Sequence, residues 1–176
     1  MVDPLAVVEN ALDRVIFTNN CIAKIGSGIQ QGDHNLKVPW QHIVEYNTLT
    51  LEELKELMSK AGVSYPLMIK PLAAASSYDS HILTAVFNDV GMKDSLEYYT
   101  GGLIAQEFIN HDSTVYKLYT LGKDHLWTFP RTSCANLTEG HDMVRFNSQI
   151  AWPEELLSKD EQIIKEMPEE FSRFVR

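Results

Sequence analysis

The sequence predicts an α+β fold, and three observations carry that prediction. Thr50 and Glu53 form a capping box at the start of a helix that Gly62 closes. From Pro66 onward the chain is dominated by short runs of apolar and aromatic residues, as in strands. One short helix, at residues 91–99, interrupts those runs. The resulting order of strand, strand, helix and strand is typical of a compact α+β lobe.

Two helices and a short strand are predicted before the capping box. Asp3-Pro4 supplies a cap and a proline at the first helical position. A second helix is expected from about residue 18 to residue 32, with Ile29 in its apolar stripe. Residues 38–46 are expected to form a short strand.

The remaining predicted strands are apolar runs bounded by turn residues. They cover residues 67–72, 81–87, 103–109, 114–121, 125–129 and 143–146. Residues 73–80, which are mostly small or hydroxyl-bearing, are expected to form a loop between the first two of these strands. A charged helix with an apolar face is predicted for residues 153–176.

Composition limits the classes of partner. Fifteen basic and 24 acidic residues give a net charge of −9, which disfavours nucleic acid and acidic membranes as general partners. No apolar run approaches the ~20 residues that a membrane-spanning helix needs. Cys21 and Cys134 have no metal-ligand spacing, and the histidines have none either, so no metal site is predicted. Asp3 and Glu9 argue against a signal peptide, and a cytoplasmic or nuclear location is expected.

A polar pair and two lysines indicate a nucleotide site. Gln106 and Glu107 interrupt an apolar strand near its end, where a ligand would replace packed side chains. Lys70 and Lys117 each lie on a predicted strand, an arrangement suited to binding a nucleoside triphosphate. Each feature has an ordinary alternative. Lys70 alone would more often extend to water, Lys117 would fit a sheet edge, and residues 106–109 would fit a plain strand end.

Several segments then occur in the order and near the spacing of a known family. They are Val2-Asp3-Pro4-Leu5, Leu12-Asp13-Arg14, Tyr65-Pro66-Leu67-Met68-Ile69-Lys70, Ser80-His81, Ala85-Val86-Phe87-Asn88, residues 106–111, Tyr116-Lys117, Pro130-Arg131-Thr132-Ser133 and Phe146-Asn147-Ser148. In these segments the chain resembles the inositol 1,3,4-trisphosphate 5/6-kinases, also called inositol-tetrakisphosphate 1-kinases, of the ATP-grasp group. The resemblance implies an ATP-dependent kinase that acts on an inositol polyphosphate.

The resemblance also implies a domain organisation. The chain is expected to hold the central ATP-grasp lobe and the beginning of the C-terminal lobe, truncated at both ends relative to the family. Residues 1–61 would be a helical entry segment with the start of the ATP-grasp region, and residues 62–112 the α+β lobe that covers the nucleotide. Residues 113–176 would be an incomplete C-terminal lobe with a terminal helix.

Site residues follow from the family positions. The implied ATP-binding residues are Arg14, Lys70, Gln106, Glu107, Phe108, Ile109, Lys117, Ser133 and Ser148. Residues 106–109 match the adenine hinge, whose backbone would read the base. Lys117 is implied as the catalytic residue between ATP and substrate, and it joins His81 in binding the inositol phosphate. Without the resemblance, Arg14 would be read as a helix-surface charge and His81 as a surface strand residue.

The family binds Mg²⁺ through an acidic strand residue and an Asp-x-Asn motif, and no counterpart follows Arg145. The chain is therefore expected to lack the metal ligands, to keep part of the ATP site, and to turn over little or not at all. The alternative is a non-catalytic nucleotide-binding or interaction module that pairs through an unfinished sheet edge. Ala74-Ala75-Ser76, where the family has histidine and glycine, fits that alternative. Another ATP-grasp ligase ranks lower, because residues 106–111 and 146–148 are closer to the inositol kinases.

Overall fold

The computed structural model describes nine parts of the chain, and the elements below belong to these parts. They are residues 13–25, 29–31, 34–36, 38–45, 48–73, 78–121, 125–137, 140–150 and 152–157. The helices are α1 (Arg14–Ile25), α2 (Leu51–Ala61) and α3 (Asp89–Tyr98). The strands are β1 (Ile29–Gln31), β2 (His34–Leu36), β3 (Gln41–Val44), β4 (Leu67–Pro71), β5 (Ile82–Val86), β6 (Leu103–Glu107), β7 (Thr114–Leu121), β8 (His125–Thr132) and β9 (Met143–Asn147).

The central element is a five-stranded antiparallel sheet with strand order β3-β6-β4-β5-β9. Two further antiparallel pairs, β1–β2 and β7–β8, are separate from it. The sheet takes β3 from the predicted segment 1–61 and β9 from the predicted segment 113–176. The mixture of helices and antiparallel sheets agrees with the predicted α+β class, while the division into three segments stays a prediction.

Alternation along the strands gives the sheet two packed faces. On the first, which we call the helix face, α2 and α3 cover a cluster of buried residues: Val44, Leu54, Met58, Leu67, Ile69, Val86, Met92, Tyr99, Leu103 and Ala105. The second, which we call the opposite face, carries another cluster: Met68, Ala85, Phe87, Cys134, Leu137, Val144, Phe146 and Leu156. The chain that follows β8 thus covers part of the opposite face.

The capping box predicted for α2 is confirmed. The Thr50 hydroxyl oxygen accepts a hydrogen bond from the Glu53 amide, and the Glu53 carboxylate accepts one from the Thr50 amide. Gly62 ends the helix with a φ of 68°, a left-handed conformation that glycine adopts without steric cost. These caps orient α2 so that Leu54 and Met58 point into the helix-face core.

One predicted helix extended too far, and the start of another at Pro153 was wrong. The helix expected to reach residue 32 ends at Ile25, and Ile29 lies in strand β1 instead. Gly26 follows the helix directly in the sequence, and glycine disfavours its continuation. The helix expected from Pro153 is a single 3₁₀ turn, Glu154–Leu156, whose buried Leu156 accepts a backbone hydrogen bond from Ala135 at 2.7 Å.

Three other predictions fall outside the described residues. They are the helix opening at Asp3-Pro4, residues 74–77 of the loop predicted at residues 73–80, and residues 158–176 of the terminal helix. Elsewhere β4, β5, β6, β7 and β9 coincide with predicted strands to within two residues at either end. β8 is longer than predicted and ends at Thr132, because its ladder with β7 continues through Pro130 and Arg131.

Candidate nucleotide site

Lys70 and Gln106 lie together on the opposite face of the sheet. Met68 pairs with Gln106 and Lys70 pairs with Ile104 across the β4–β6 ladder, so Lys70 and Gln106 are diagonal neighbours. The Lys70 Nζ donates a hydrogen bond to the Gln106 Oε1 at 2.5 Å. Two residues predicted from separate segments therefore form one polar contact.

The ammonium group of Lys70 is poorly hydrated. Burial and, to a smaller extent, the nearby positive charge of Arg14 together lower the pKa of Lys70 to about 8. In the described part of the chain its hydrogen-bond partner is a neutral amide, and none of the ion pairs there includes it. Because an anion would stabilise the charged form of this lysine, the site suits a phosphate group.

Arg14 is the first residue of α1 and contacts the backbone at both ends of the β4–β5 connection. Its guanidinium donates to the carbonyl oxygen of Pro71 at 2.7 Å and to that of Ser80 at 3.1 Å. Burial lowers the pKa of Arg14, and the neighbouring Tyr99 acts in the opposite direction. Asp13 caps α1 by accepting from the amides of Val15 and Ile16, which fixes where the Arg14 side chain begins.

The predicted adenine hinge, residues 106–109, uses two of its amides within the fold. The Glu107 amide donates to the Trp40 carbonyl at 2.8 Å, and the Phe108 amide donates to the Pro66 carbonyl at 3.3 Å. The Glu107 carboxylate in turn accepts from the Trp40 amide at 3.2 Å. Ile109 is 52% exposed, and its amide forms no hydrogen bond with the described part of the chain.

A tight corner connects the hinge to the β7–β8 pair. Asp112 and Ser113 have φ values of 49° and 57°, and the Ser113 carbonyl accepts from the Ser133 amide at 2.8 Å. Asn136 exchanges hydrogen bonds with Asp112. His111 contacts the Ile109 carbonyl through Nδ1 at 2.8 Å. Ser133 is accordingly buried where β8 ends, close in the fold to the hinge.

His81 and Ser148 form a second contact at the start of β5. His81 closes the 3₁₀ turn Asp79–His81, and its carbonyl accepts from the Ser148 amide at 2.9 Å. Because the Ser80 carbonyl also binds Arg14, this turn joins three predicted site residues, Arg14, His81 and Ser148.

Lys117 lies apart from these contacts in the described structure. It pairs with Phe129 in the β7–β8 ladder, and its side chain is exposed. No described contact brings Lys117 to Lys70, so its catalytic role stays a prediction.

Two features of the site were missed from sequence. The first is the Gln106 side chain, which the sequence assigns only to a backbone hinge. Gln106 lies two residues from Ile104, the partner of Lys70, so it shares a face with Lys70 once the register is known. Trp40 had no sequence signal at all, because its partner Glu107 lies 67 positions away.

The described carboxylates do not form a magnesium site. No group of three or more His, Cys, Asp or Glu side chains within the described ranges could hold a metal ion. Among the helices that are described, none has both the length and the apolar character needed to cross a membrane.

The described fold is a mixed α+β architecture, and comparison with known sequences identifies its class as an ATP-grasp protein. The family model "Inositol 1,3,4-trisphosphate 5/6-kinase ATP-grasp domain" matches residues 30–169. The chain belongs to the inositol 1,3,4-trisphosphate 5/6-kinase ATP-grasp family. This confirms the family and the fold class expected from the sequence.

Curated relatives carry kinase names. Inositol-tetrakisphosphate 1-kinase 3 of Glycine max is 32% identical over 119 residues, which cover 56% of this chain and 32% of the relative. Inositol-tetrakisphosphate 1-kinase 4 of Oryza sativa subsp. indica is 29% identical over 122 residues, covering 69% of this chain and 30% of the relative. Inositol-tetrakisphosphate 1-kinase 2 of Glycine max is 28% identical over 140 residues, covering 79% and 41%. The chain thus spans about a third of the length of the first two relatives.

Proposed function

We propose that this chain forms part of the ATP site of a kinase that phosphorylates an inositol polyphosphate. Family membership supports ATP as the nucleotide, and the names of the relatives support an inositol tetrakisphosphate or a similar substrate. The observation that carries the proposal is the contact between Lys70 and Gln106 on the opposite face of the sheet.

Lys70 is the proposed phosphate ligand. Its ammonium group is partly desolvated and hydrogen-bonded to a neutral amide, so a phosphate oxygen would restore the electrostatic stabilisation that burial removes. Gln106 would hold the Lys70 ammonium group in place before the nucleotide binds. A positioned cation of this kind neutralises charge on the transferring phosphoryl group.

The base would bind at the hinge. The amides of Glu107 and Phe108 already have backbone partners, so the amide of Ile109 is the proposed donor to the adenine edge. Ser133 and Ser148 are proposed to border the nucleotide, from the corner after β8 and the end of β9 respectively.

Lys117 and His81 are proposed as the residues nearest the inositol phosphate, on the strength of the family resemblance. A substrate hydroxyl would attack the γ-phosphate directly, and Lys117 would stabilise the charge that develops there. When bound, magnesium would supply further positive charge to offset that of the phosphates, and the described residues include no carboxylate cluster that would hold it.

Isothermal calorimetry with ATP tests the proposal. We expect saturable binding by the unmodified chain and a dissociation constant at least about tenfold weaker in Lys70→Met, which corresponds to about 1.4 kcal/mol. Lys93→Met, at an exposed lysine of α3, is the matched control and should bind as the unmodified chain does. Equal loss in both variants would show that total charge, rather than the Lys70 site, determines binding.

A different observation favours a second function, a non-catalytic module that pairs with another polypeptide. Leu118, Leu126 and Trp127 on the β7–β8 pair are exposed apolar or aromatic side chains, as a surface that binds a partner would have. A folded chain that binds no ATP with or without magnesium would exclude the nucleotide site and leave the module as the leading function.

A further inference from the structure

Arg14 connects two segments that the sheet itself does not hold together. The β4–β5 ladder pairs Leu67 with Val86 and ends at Ile69 and Thr84. Lys70 on β4 and His81 before β5 both lie beyond that last pair. The backbone hydrogen bonds of this ladder therefore do not fix the distance between the two predicted ligand-binding residues.

The Arg14 guanidinium lies at this gap. One terminal nitrogen donates to Pro71, the residue directly after Lys70, and the other donates to Ser80, the residue directly before His81. The guanidinium is planar and offers several N–H donors in fixed directions, so one side chain can bind two carbonyl groups at once. Both acceptors belong to the backbone, and the contact therefore acts on the positions of neighbouring residues.

We propose that Arg14 is a positioning residue that sets Lys70 and His81 relative to each other by holding the carbonyl groups beside them. The inference rests on the proposed function, in which Lys70 binds a phosphate of ATP and His81 lies near the inositol phosphate. It differs from the sequence-based expectation that Arg14 contacts the nucleotide itself.

Three further contacts make this arrangement specific. Asp13 forms an isolated antiparallel bridge with Ala73, so the start of α1 is attached to the chain just after Pro71. The outer sides of the two segments are also held, Lys70 by Gln106 and His81 by Ser148. Arg14 thus closes a set of contacts that runs from the hinge strand β6 to the edge strand β9.

The positive charge of Arg14 has a second measurable effect, on the pKa of Lys70, which depends on where the guanidinium lies. Arg14 contributes to the lowering of the Lys70 pKa, so loss of the guanidinium charge should raise that pKa. The amides of His81 and Ile82, which close the 3₁₀ turn by donating to Tyr78 and Asp79, report on the order of the His81 segment.

The test compares Arg14→Gln and Arg14→Lys by NMR on the whole chain. In Arg14→Gln we expect the Lys70 ammonium to titrate at a higher pH, and the amides of His81 and Ile82 to exchange at least about tenfold faster. Arg14→Lys keeps the charge but lacks the two-donor geometry, so the Lys70 titration should stay near that of the unmodified chain while both amides still exchange faster.

Arg145→Lys is the matched control. Arg145 is also a partly buried arginine, but it bonds Thr84 and Asp94 on the helix face instead of the Pro71 and Ser80 carbonyls. It should leave the Lys70 titration and the exchange of both amides unchanged. If Arg14→Gln folds and changes neither reporter, or if Arg145→Lys changes both equally, the positioning role is overturned.

ATP binding separates this inference from the function on which it rests. A chain that binds no ATP but shows the predicted changes in titration and exchange would refute the nucleotide site and retain the positioning role. If ATP binds, Arg14→Lys should raise the dissociation constant for ATP about tenfold, although Lys70 is intact. Unchanged affinity in Arg14→Lys, with both amides exchanging as before, would overturn the proposal even with the nucleotide site confirmed.

Discussion

The five-stranded sheet and the β7–β8 pair are both antiparallel, but their side chains meet opposite environments. Leu67 in the sheet is 0% exposed, whereas Leu118 in the pair is 62% exposed. The apolar and aromatic residues of the pair include Tyr116, Leu118, Tyr119, Leu121, Leu126, Trp127 and Phe129, all of them exposed. Burial is thus a property of the layers around a strand and not of its composition.

The sheet has a covering layer on each face. Helices α2 and α3 pack on one side. Residues on either side of β9, namely Cys134, Leu137 and Leu156, pack on part of the other side. The described residues provide no such layer for β7 and β8, although these strands share eight paired positions. A continuous ladder of hydrogen bonds is therefore enough to define the strands but not to bury them.

The largest test of this comparison replaces one leucine in each region. Leu67→Ala removes a side chain enclosed in the helix-face core, so we expect a loss of about 2–5 kcal/mol in the free energy of unfolding. Leu118→Ala removes an exposed side chain and should change it by less than about 0.5 kcal/mol. Urea titration followed by circular dichroism measures both values.

Comparable losses of stability in the two variants would contradict the difference in burial between Leu67 and Leu118. They would mean that Leu118 is buried in solution, for example by another copy of the chain. A concentration-dependent unfolding midpoint for the unmodified chain, lost in Leu118→Ala, would identify that cause.

The sequence predicted the local parts of both regions and not their assembly. The positions of β4, β5, β6, β7 and β9 and the Thr50 capping box follow from neighbouring residues, and the structure agrees with them. The placement of β9 beside β5 depends on residues about 60 positions apart, such as Leu83 and Phe146. A periodicity of two assigns faces within a strand, but it cannot choose which strand pairs with which.

The same limit applies to the candidate site. Lys70 and Gln106 were each expected at a nucleotide, but their hydrogen bond follows from the β4–β6 register, which the sequence did not specify. Arg14 was expected to touch the ligand, whereas its described partners are two backbone carbonyl groups. Contacts to backbone atoms have no residue-type signature, so sequence comparison alone does not reveal them.

A second test replaces one lysine in each region. Lys70 has a pKa lowered to about 8, so between that value and its ordinary 10.5 the unfolded chain binds more protons than the folded chain. The free energy of unfolding should therefore rise with pH across this window. Lys70→Met lacks the rise, and near pH 7 we expect it to be more stable than the unmodified chain by roughly 1–3 kcal/mol.

Lys117→Met is the control for the loss of a lysine charge, since Lys117 is exposed on β7. Thermal unfolding of both variants between pH 7 and pH 10.5 gives the comparison. A pH-independent difference between Lys70→Met and the unmodified chain would contradict the desolvation of Lys70. It would also remove the main electrostatic support for a phosphate site at that position.

The smallest test weakens the covering layer itself. Thr50→Ala removes the hydroxyl that accepts from the Glu53 amide at the start of α2, and should cost about 1 kcal/mol. Thr48→Ala is the matched control, because the Thr48 hydroxyl donates to the Glu45 carbonyl and caps no helix. Since α2 packs on the sheet, hydrogen exchange should accelerate in β4 and β6 of Thr50→Ala but stay unchanged in β7 and β8. Equal acceleration in both regions would show that they unfold together, so that the pair depends on the sheet for its order despite its exposed side chains.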